Sequence, residues 1–115
     1  MNVSVIGTGN VGVAIATDLS INEHKVSLIK TSEKKSEIYD RLLRNKNRVY
    51  LKENGTYTET IINNVSNDLS EIAKADVVIV TVQSTYHEDL IKKAAQYFNK
   101  INYSRFRRNK KTADL

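Results

Sequence analysis

An apolar run that empties into three closely spaced glycines constrains this chain more than anything else in its sequence. Val3-Ser4-Val5-Ile6 leads into Gly7-Thr8-Gly9-Asn10-Val11-Gly12, and Val11, Ala14, Ile15 and Leu19 then recur at helical spacing. The pattern predicts a strand, a glycine turn and a helix. Each glycine has its own task there: Gly7 for the sharp turn off the strand, Gly9 for close approach of a pyrophosphate to the backbone, and Gly12 for tight packing of helix on strand. The amides of the first helical turn, at the positive end of the helix dipole, then face the phosphates, so Gly7, Thr8, Gly9, Asn10, Val11 and Gly12 are the expected cradle of a dinucleotide cofactor. A tight strand-to-helix turn that binds nothing is the competing reading.

Composition narrows the alternatives. With 115 residues the chain makes one domain, and with no cysteine it has neither disulfides nor thiolate chemistry. His24 and His87 are too far apart in sequence to suggest a metal site, so none is expected. The opening apolar run is too short and too broken by glycine for a signal peptide or a membrane span, which makes a cytoplasmic protein without a membrane partner the expectation. The net charge of +5 resides after residue 99, where Lys100, Arg105, Arg107, Arg108, Lys110 and Lys111 stand against Asp114 alone. Residues 1–99 carry equal numbers of acidic and basic groups, so no nucleic-acid partner is expected for the domain itself.

Lys25-Val26-Ser27-Leu28-Ile29-Lys30 alternates as a second strand, parallel to the first after a right-handed crossover. A carboxylate at the end of that strand would select NAD by accepting hydrogen bonds from the ribose hydroxyls. This chain has Lys30-Thr31-Ser32, a cation and two hydroxyls that suit a 2′-phosphate, so NADP is favoured over NAD, although Glu33 could still reach a ribose. Ser32 to Arg44 reads as a helix with Ile38, Leu42 and Leu43 inward. Asn54-Gly55 between alternating runs predicts a hairpin, and the segment ending near Val65 a third core strand. A short helix over Asp68 to Ala75 and a fourth strand over Asp76 to Val82, covered on both faces, follow. Gln83, Ser84 and Thr85 leave that strand over the expected cofactor, where they either touch it or only cap the helix that carries Leu90, Ile91, Ala94 and Phe98. His87 can titrate near neutral pH but has no visible partner, and no catalytic residue is assigned.

These pieces make an α/β chain with a Rossmann-type doubly wound parallel sheet, an inserted β-hairpin and an incomplete second half. Val5-Ile6-Gly7-Thr8-Gly9-Asn10-Val11-Gly12 with Ala14, Asp18 and Leu19, the Asn54-Gly55 hairpin, Val65 to Leu69, and Ala75 to Val80 running into Ser84, Thr85, His87 and Glu88 resemble the N-terminal domain of the octopine and nopaline (opine) dehydrogenases. The glycine motif is shared with ketopantoate reductases and glycerol-3-phosphate dehydrogenases. The resemblance implies an NAD(P)-binding portion of an oxidoreductase that joins an amino acid to a 2-oxo acid and reduces the imine, inactive on its own. A nucleotide-sensing module of a potassium-transport system also opens with this motif, but usually shows an acid where Lys30 stands.

The expected division is a dinucleotide-binding domain over residues 1–99 and a basic tail over 100–115, whose composition suits a truncated or shifted reading frame better than a buried strand. That leaves the Val- and Ile-rich fourth strand with a bare edge, so self-association through it is expected. A non-binding, poorly folded remnant is the corresponding third possibility.

Overall fold

The sheet in this computed structural model, which describes residues 1–32, 35–82, 87–97 and 106–108, grows outward from β1 (Asn2–Ile6). β2 (Lys25–Ile29) pairs with β1 in parallel, Ile6 opposite Ile29, and β5 (Asn64–Ser66) extends the sheet beyond β2. On the other side β1 is flanked by β6 (Val77–Val80), with Ile6 opposite Val80. A last strand, β7 (Phe106–Arg108), completes the order β5-β2-β1-β6-β7. Strands are added first on one side of β1 and then on the other, all parallel, which is the doubly wound arrangement, in which ligands sit beyond the carboxyl ends of the strands.

Alternation of side chains along the strands builds a core on each face. Val3, Val5, Val26 and Leu28 pack on one side with Ala16 of helix α1 (Asn10–Ile21) and Leu42 of helix α2 (Glu37–Arg44). Ile6, Ile29, Val78 and Val80 pack on the other with Ile72 from a 3₁₀ segment (Leu69–Lys74) and with Leu90 and Ala94 of helix α3 (His87–Ala95). The hairpin of β3 (Arg48–Glu53) and β4 (Thr56–Ile61) is a separate two-stranded sheet that lies across α1. Its turn is Asn54-Gly55, both with positive φ (50° and 80°), the geometry a two-residue hairpin turn requires. Covered by the sheet below and the hairpin above, α1 has little one-sided pattern. Gly12, Ala16 and Thr17 are buried, Val13, Ile15 and Leu19 pack partly against the core, and Ala14 is exposed.

Several sequence expectations are corrected. Helix α2 begins at Glu37 rather than at Ser32, because Ser36 supplies the cap: its Oγ accepts from the Tyr39 N–H at 3.2 Å. Leu42 is buried but Leu43 is 46% exposed. The short helix expected over Asp68 to Ala75 is a 3₁₀ segment starting at Leu69, and Asp68 caps it by accepting from the Ser70 N–H at 3.0 Å and the Ser70 hydroxyl at 2.6 Å. The Ser70 hydroxyl, then the Ser70 amide, holds the Asp68 carboxyl below its ordinary range, so this cap persists above that range and is lost as pH falls through the lowered value. β6 is fully covered on one face only, since Val77 and Ile79 are half-buried.

The bare fourth-strand edge is not what the structure shows. Phe106, Arg107 and Arg108 run parallel to Val78, Ile79 and Val80, so the chain covers that edge itself. Ladder pairing needs only backbone N–H and C=O groups. The demand for apolar side chains falls on interior strands, whereas an edge strand tolerates charge and is protected by it.

The two leucines of α2 give a direct check on this packing. Leu42→Ala should cost about 2–5 kcal/mol in denaturant unfolding, while Leu43→Ala should stay within about 0.5 kcal/mol of the parent.

Candidate functional site

Backbone contacts at the carboxyl ends of β2, β1 and β6 fix the glycine turn. The Gly7 N–H donates to the Ile29 carbonyl at 2.9 Å, and the Thr81 N–H and hydroxyl both donate to the Ile6 carbonyl, each at 2.9 Å. Gly7 has φ +120°, a conformation L side chains rarely adopt, and a Cβ there would lie 2.3 Å from the Thr81 Oγ1. A Cβ on Gly12 would lie 1.9 Å from the Gly7 carbonyl oxygen and 3.0 Å from the same Thr81 oxygen. Helix and turn therefore touch backbone to backbone. Gly9 differs: its backbone is extended (φ −76°, ψ −178°), and a Cβ added to it would meet no atom within 4 Å. The space above Gly9 is open.

The start of α1 is capped differently from the starts of α2 and the 3₁₀ segment. The first intrahelical bond runs from the Val13 N–H to the Gly9 carbonyl at 3.0 Å, which leaves the Asn10, Val11 and Gly12 amides without a carbonyl four residues back in the helix. Ser36 caps α2 and Asp68 caps the 3₁₀ segment, each with acids in or near the first turn, and α3 opens with Glu88 and Asp89. Helix α1 has neither a side-chain cap nor an acid in its first turn. Its positive end is presented to whatever occupies the hollow.

Of the residues expected to form the site, the structure gathers Gly7, Thr8, Gly9, Asn10, Val11 and Gly12 on the β1–α1 turn, with Thr8 buried, Val11 half-buried and Gly9 and Asn10 exposed. Lys30, Thr31 and Ser32 follow β2 at the same edge, where the Lys30 N–H donates to the Ser66 carbonyl at 2.8 Å. The Lys30 ammonium is held locally: Nζ donates to the Ser32 carbonyl and stands 5.8 Å from the Tyr39 ring centre. Thr31 and Ser32 do not begin α2, whose cap is Ser36. Gln83, Ser84, Thr85, Glu33 and Phe98 lie outside the described residues, and His87 opens α3. Sequence reasoning missed Thr81 as part of the site. The signal was available, because parallel pairing that puts Val80 beside Ile6 puts the next residue beside Gly7.

Among the described residues no group of three or more His, Cys, Asp or Glu side chains gathers to hold a metal, and no helix is long and apolar enough to cross a membrane. An open polar groove of about 430 Å³ lined by Asn2, Lys25, Asn64 and Lys74 lies at the amino ends of the strands, away from the glycine turn. The position a doubly wound sheet offers a ligand is the opposite end.

The glycine contacts separate structure from access. Gly12→Ala should destabilise the fold by about 1–3 kcal/mol or more, because its methyl meets backbone, whereas Gly9→Ala should change stability by no more than about 0.5 kcal/mol; urea unfolding of both variants measures the difference.

No curated protein matches the chain significantly. Among solved structures, it is similar to a PanE/ApbA family ketopantoate reductase from Ralstonia eutropha JMP134 (21% identity, 88% of this chain and 32% of that one, TM-score 0.66). It is likewise similar to 2-dehydropantoate 2-reductase from Porphyromonas gingivalis W83 (12%, 88% and 36%, TM-score 0.68) and to arogenate dehydrogenase from Synechocystis (17%, 88% and 30%, TM-score 0.61). At these identities the likeness shows the shared α/β fold, and the chain spans about a third of the length of those proteins. Residues 2–104 match the family described as NAD-dependent glycerol-3-phosphate dehydrogenase N-terminus, so nearly the whole described chain, from β1 to α3, is accounted for by one family. The chain belongs to the NAD-dependent glycerol-3-phosphate dehydrogenase N-terminal family.

Proposed function

We propose that this chain is the cofactor-binding portion of an NAD(P)-dependent oxidoreductase, and that the turn between β1 and α1 holds the cofactor's pyrophosphate. The observation that carries this reading is the pairing of an uncapped helix start with the open space over Gly9. Free amide donors and an unobstructed approach to the Gly9 backbone suit an anionic group such as a diphosphate. Asn10, Val11 and Gly12 would supply amide donors, Gly7 and Thr81 would keep the turn closed from behind, and Gly9 would keep it open in front. When bound, a nicotinamide cofactor supplies the hydride; this chain supplies position and electrostatics. The family name and the reductases and dehydrogenase that share the fold point the same way.

NADP is the cofactor we favour over NAD. Lys30, Thr31 and Ser32 follow β2 where the adenosine ribose would lie, and a cation with two hydroxyls complements a 2′-phosphate. For the substrate, the family name points to glycerol 3-phosphate and the ketopantoate reductases among the fold neighbours to ketopantoate. A second reading, reductive condensation of an amino acid with a 2-oxo acid as in the opine dehydrogenases, is supported by the Asn54-Gly55 hairpin laid across α1. Turnover assays with these three substrate classes, on the polypeptide that carries the catalytic residues, discriminate among them.

Binding is tested on the chain itself. Gly9→Asp would cap α1 with its own carboxylate, leaving thermal stability equal to or slightly above the parent while weakening NADPH binding by about tenfold or more in a fluorescence titration. Lys30→Ala should weaken NADPH by about tenfold and leave NADH little changed. Equal affinity of Gly9→Asp and parent for both dinucleotides would overturn the reading.

A further inference from the structure

The end of β2 holds one arrangement that the cofactor reading does not by itself use. Lys30 is half-buried, and its ammonium is held between two partners from the segment that follows: the Ser32 carbonyl, to which Nζ donates, and the Tyr39 ring, whose centre is 5.8 Å away. Tyr39 in turn is fixed. It sits in the first turn of α2, its N–H bonded to the Ser36 Oγ at 3.2 Å, and its half-buried side chain packs against the core formed by Val5, Leu28 and Leu42. The ring is therefore a rigid wall beside a flexible cation.

We propose that Tyr39 is a positioning residue for cofactor selection: it holds the Lys30 ammonium beside Ser32 so that a 2′-phosphate on the adenosine ribose meets a preplaced cation. The inference rests on the dinucleotide reading of the glycine turn. A lysine has three N–H donors and a long stem with large rotamer freedom, which is lost when the ammonium grips an anion. In this chain one donor is already on Ser32 and the ring attracts the charge, so much of that freedom is given up before the ligand arrives. The remaining donors stay available to phosphate oxygens. Discrimination between NADP and NAD then belongs to a pair of residues, Lys30 just past β2 and Tyr39 on α2, nine positions apart in sequence.

Tyr39→Leu removes the ring and keeps an apolar side chain on the core; Tyr39→Phe keeps the ring. By fluorescence titration, Tyr39→Leu should weaken NADPH about three- to fivefold with NADH unchanged, and Tyr39→Phe should bind both like the parent. A double-mutant cycle with Lys30→Met separates positioning from packing: in the Lys30→Met background, Tyr39→Leu should leave the ratio of NADPH to NADH affinity where Lys30→Met alone puts it. If Tyr39→Leu leaves the ratio at the parental value, shifts both affinities equally, or acts with the same size whether or not Lys30 is present, the inference is overturned. If the parent chain binds neither dinucleotide, the cofactor reading itself fails.

Discussion

The structure depends on one close approach. The backbone of α1 at Gly12 rests on the backbone of the turn at Gly7, with the Thr81 hydroxyl filling the third side, and there is no room in this junction for a single added carbon. Because the helix comes down this far, its first amides stand directly over the end of β1. The hairpin can then lie across the helix's outer side and still contribute buried Val49 at its first strand. A larger residue at position 12 would lift the helix, opening the core between Ala16 and the sheet and turning the amides away from the turn together. Packing and the proposed binding site are therefore two consequences of one contact.

The same turn shows how a fold divides satisfied from unsatisfied helix starts. Ser36 and Asp68 spend a side-chain oxygen on an amide of the helical segment that each precedes, and acids occupy the first turns of α2 and α3. At α1 the chain forgoes both devices. An anion that binds there replaces water on those amides and gains the dipole's field, while the unfolded chain has no such site. Binding and stability are consequently coupled, with ligand stabilising the fold by RT ln(1 + [L]/Kd).

Much of this was legible because the relevant signals are local. The glycine triplet, the Asn54-Gly55 turn with two positive φ angles and the Val- and Ile-rich β6 each state their geometry within a few residues. What could not be read depends on competition or on distance. Ser32 and Ser36 both offer a hydroxyl cap four residues apart, and only packing of Ile38, Tyr39 and Leu42 decides for the second. Leu42 and Leu43 are adjacent, and a small rotation of α2 determines which is buried. The pairing of Phe106–Arg108 with β6 is invisible to composition, since the ladder is made by backbone and the charges suit an edge. Thr81 was overlooked because its importance arises from a strand 75 residues away.

That last distance bears on how the site is held together. Thr81 donates to the carbonyl of Ile6 with both its amide and its hydroxyl, so the end of β6 is tied to the point where β1 becomes the turn. The Gly7 amide makes the matching tie to β2 through Ile29, and the Lys30 amide continues it to β5 through Ser66. A line of backbone bonds thus crosses four strands at their carboxyl ends, one residue beyond the regular ladder. Each bond fixes where a loop leaves the sheet: the glycine turn, the Lys30-Thr31-Ser32 segment, and the exit from β6. Loops that would otherwise move independently start from fixed points on one edge. The separation between the pyrophosphate end and the ribose end of the proposed site is then set by strand spacing, about 4.7–4.9 Å per strand, and not by loop conformation. A sheet edge locked in this way gives a long, two-ended ligand a constant distance to span, which short loops on a twisted sheet could not provide alone.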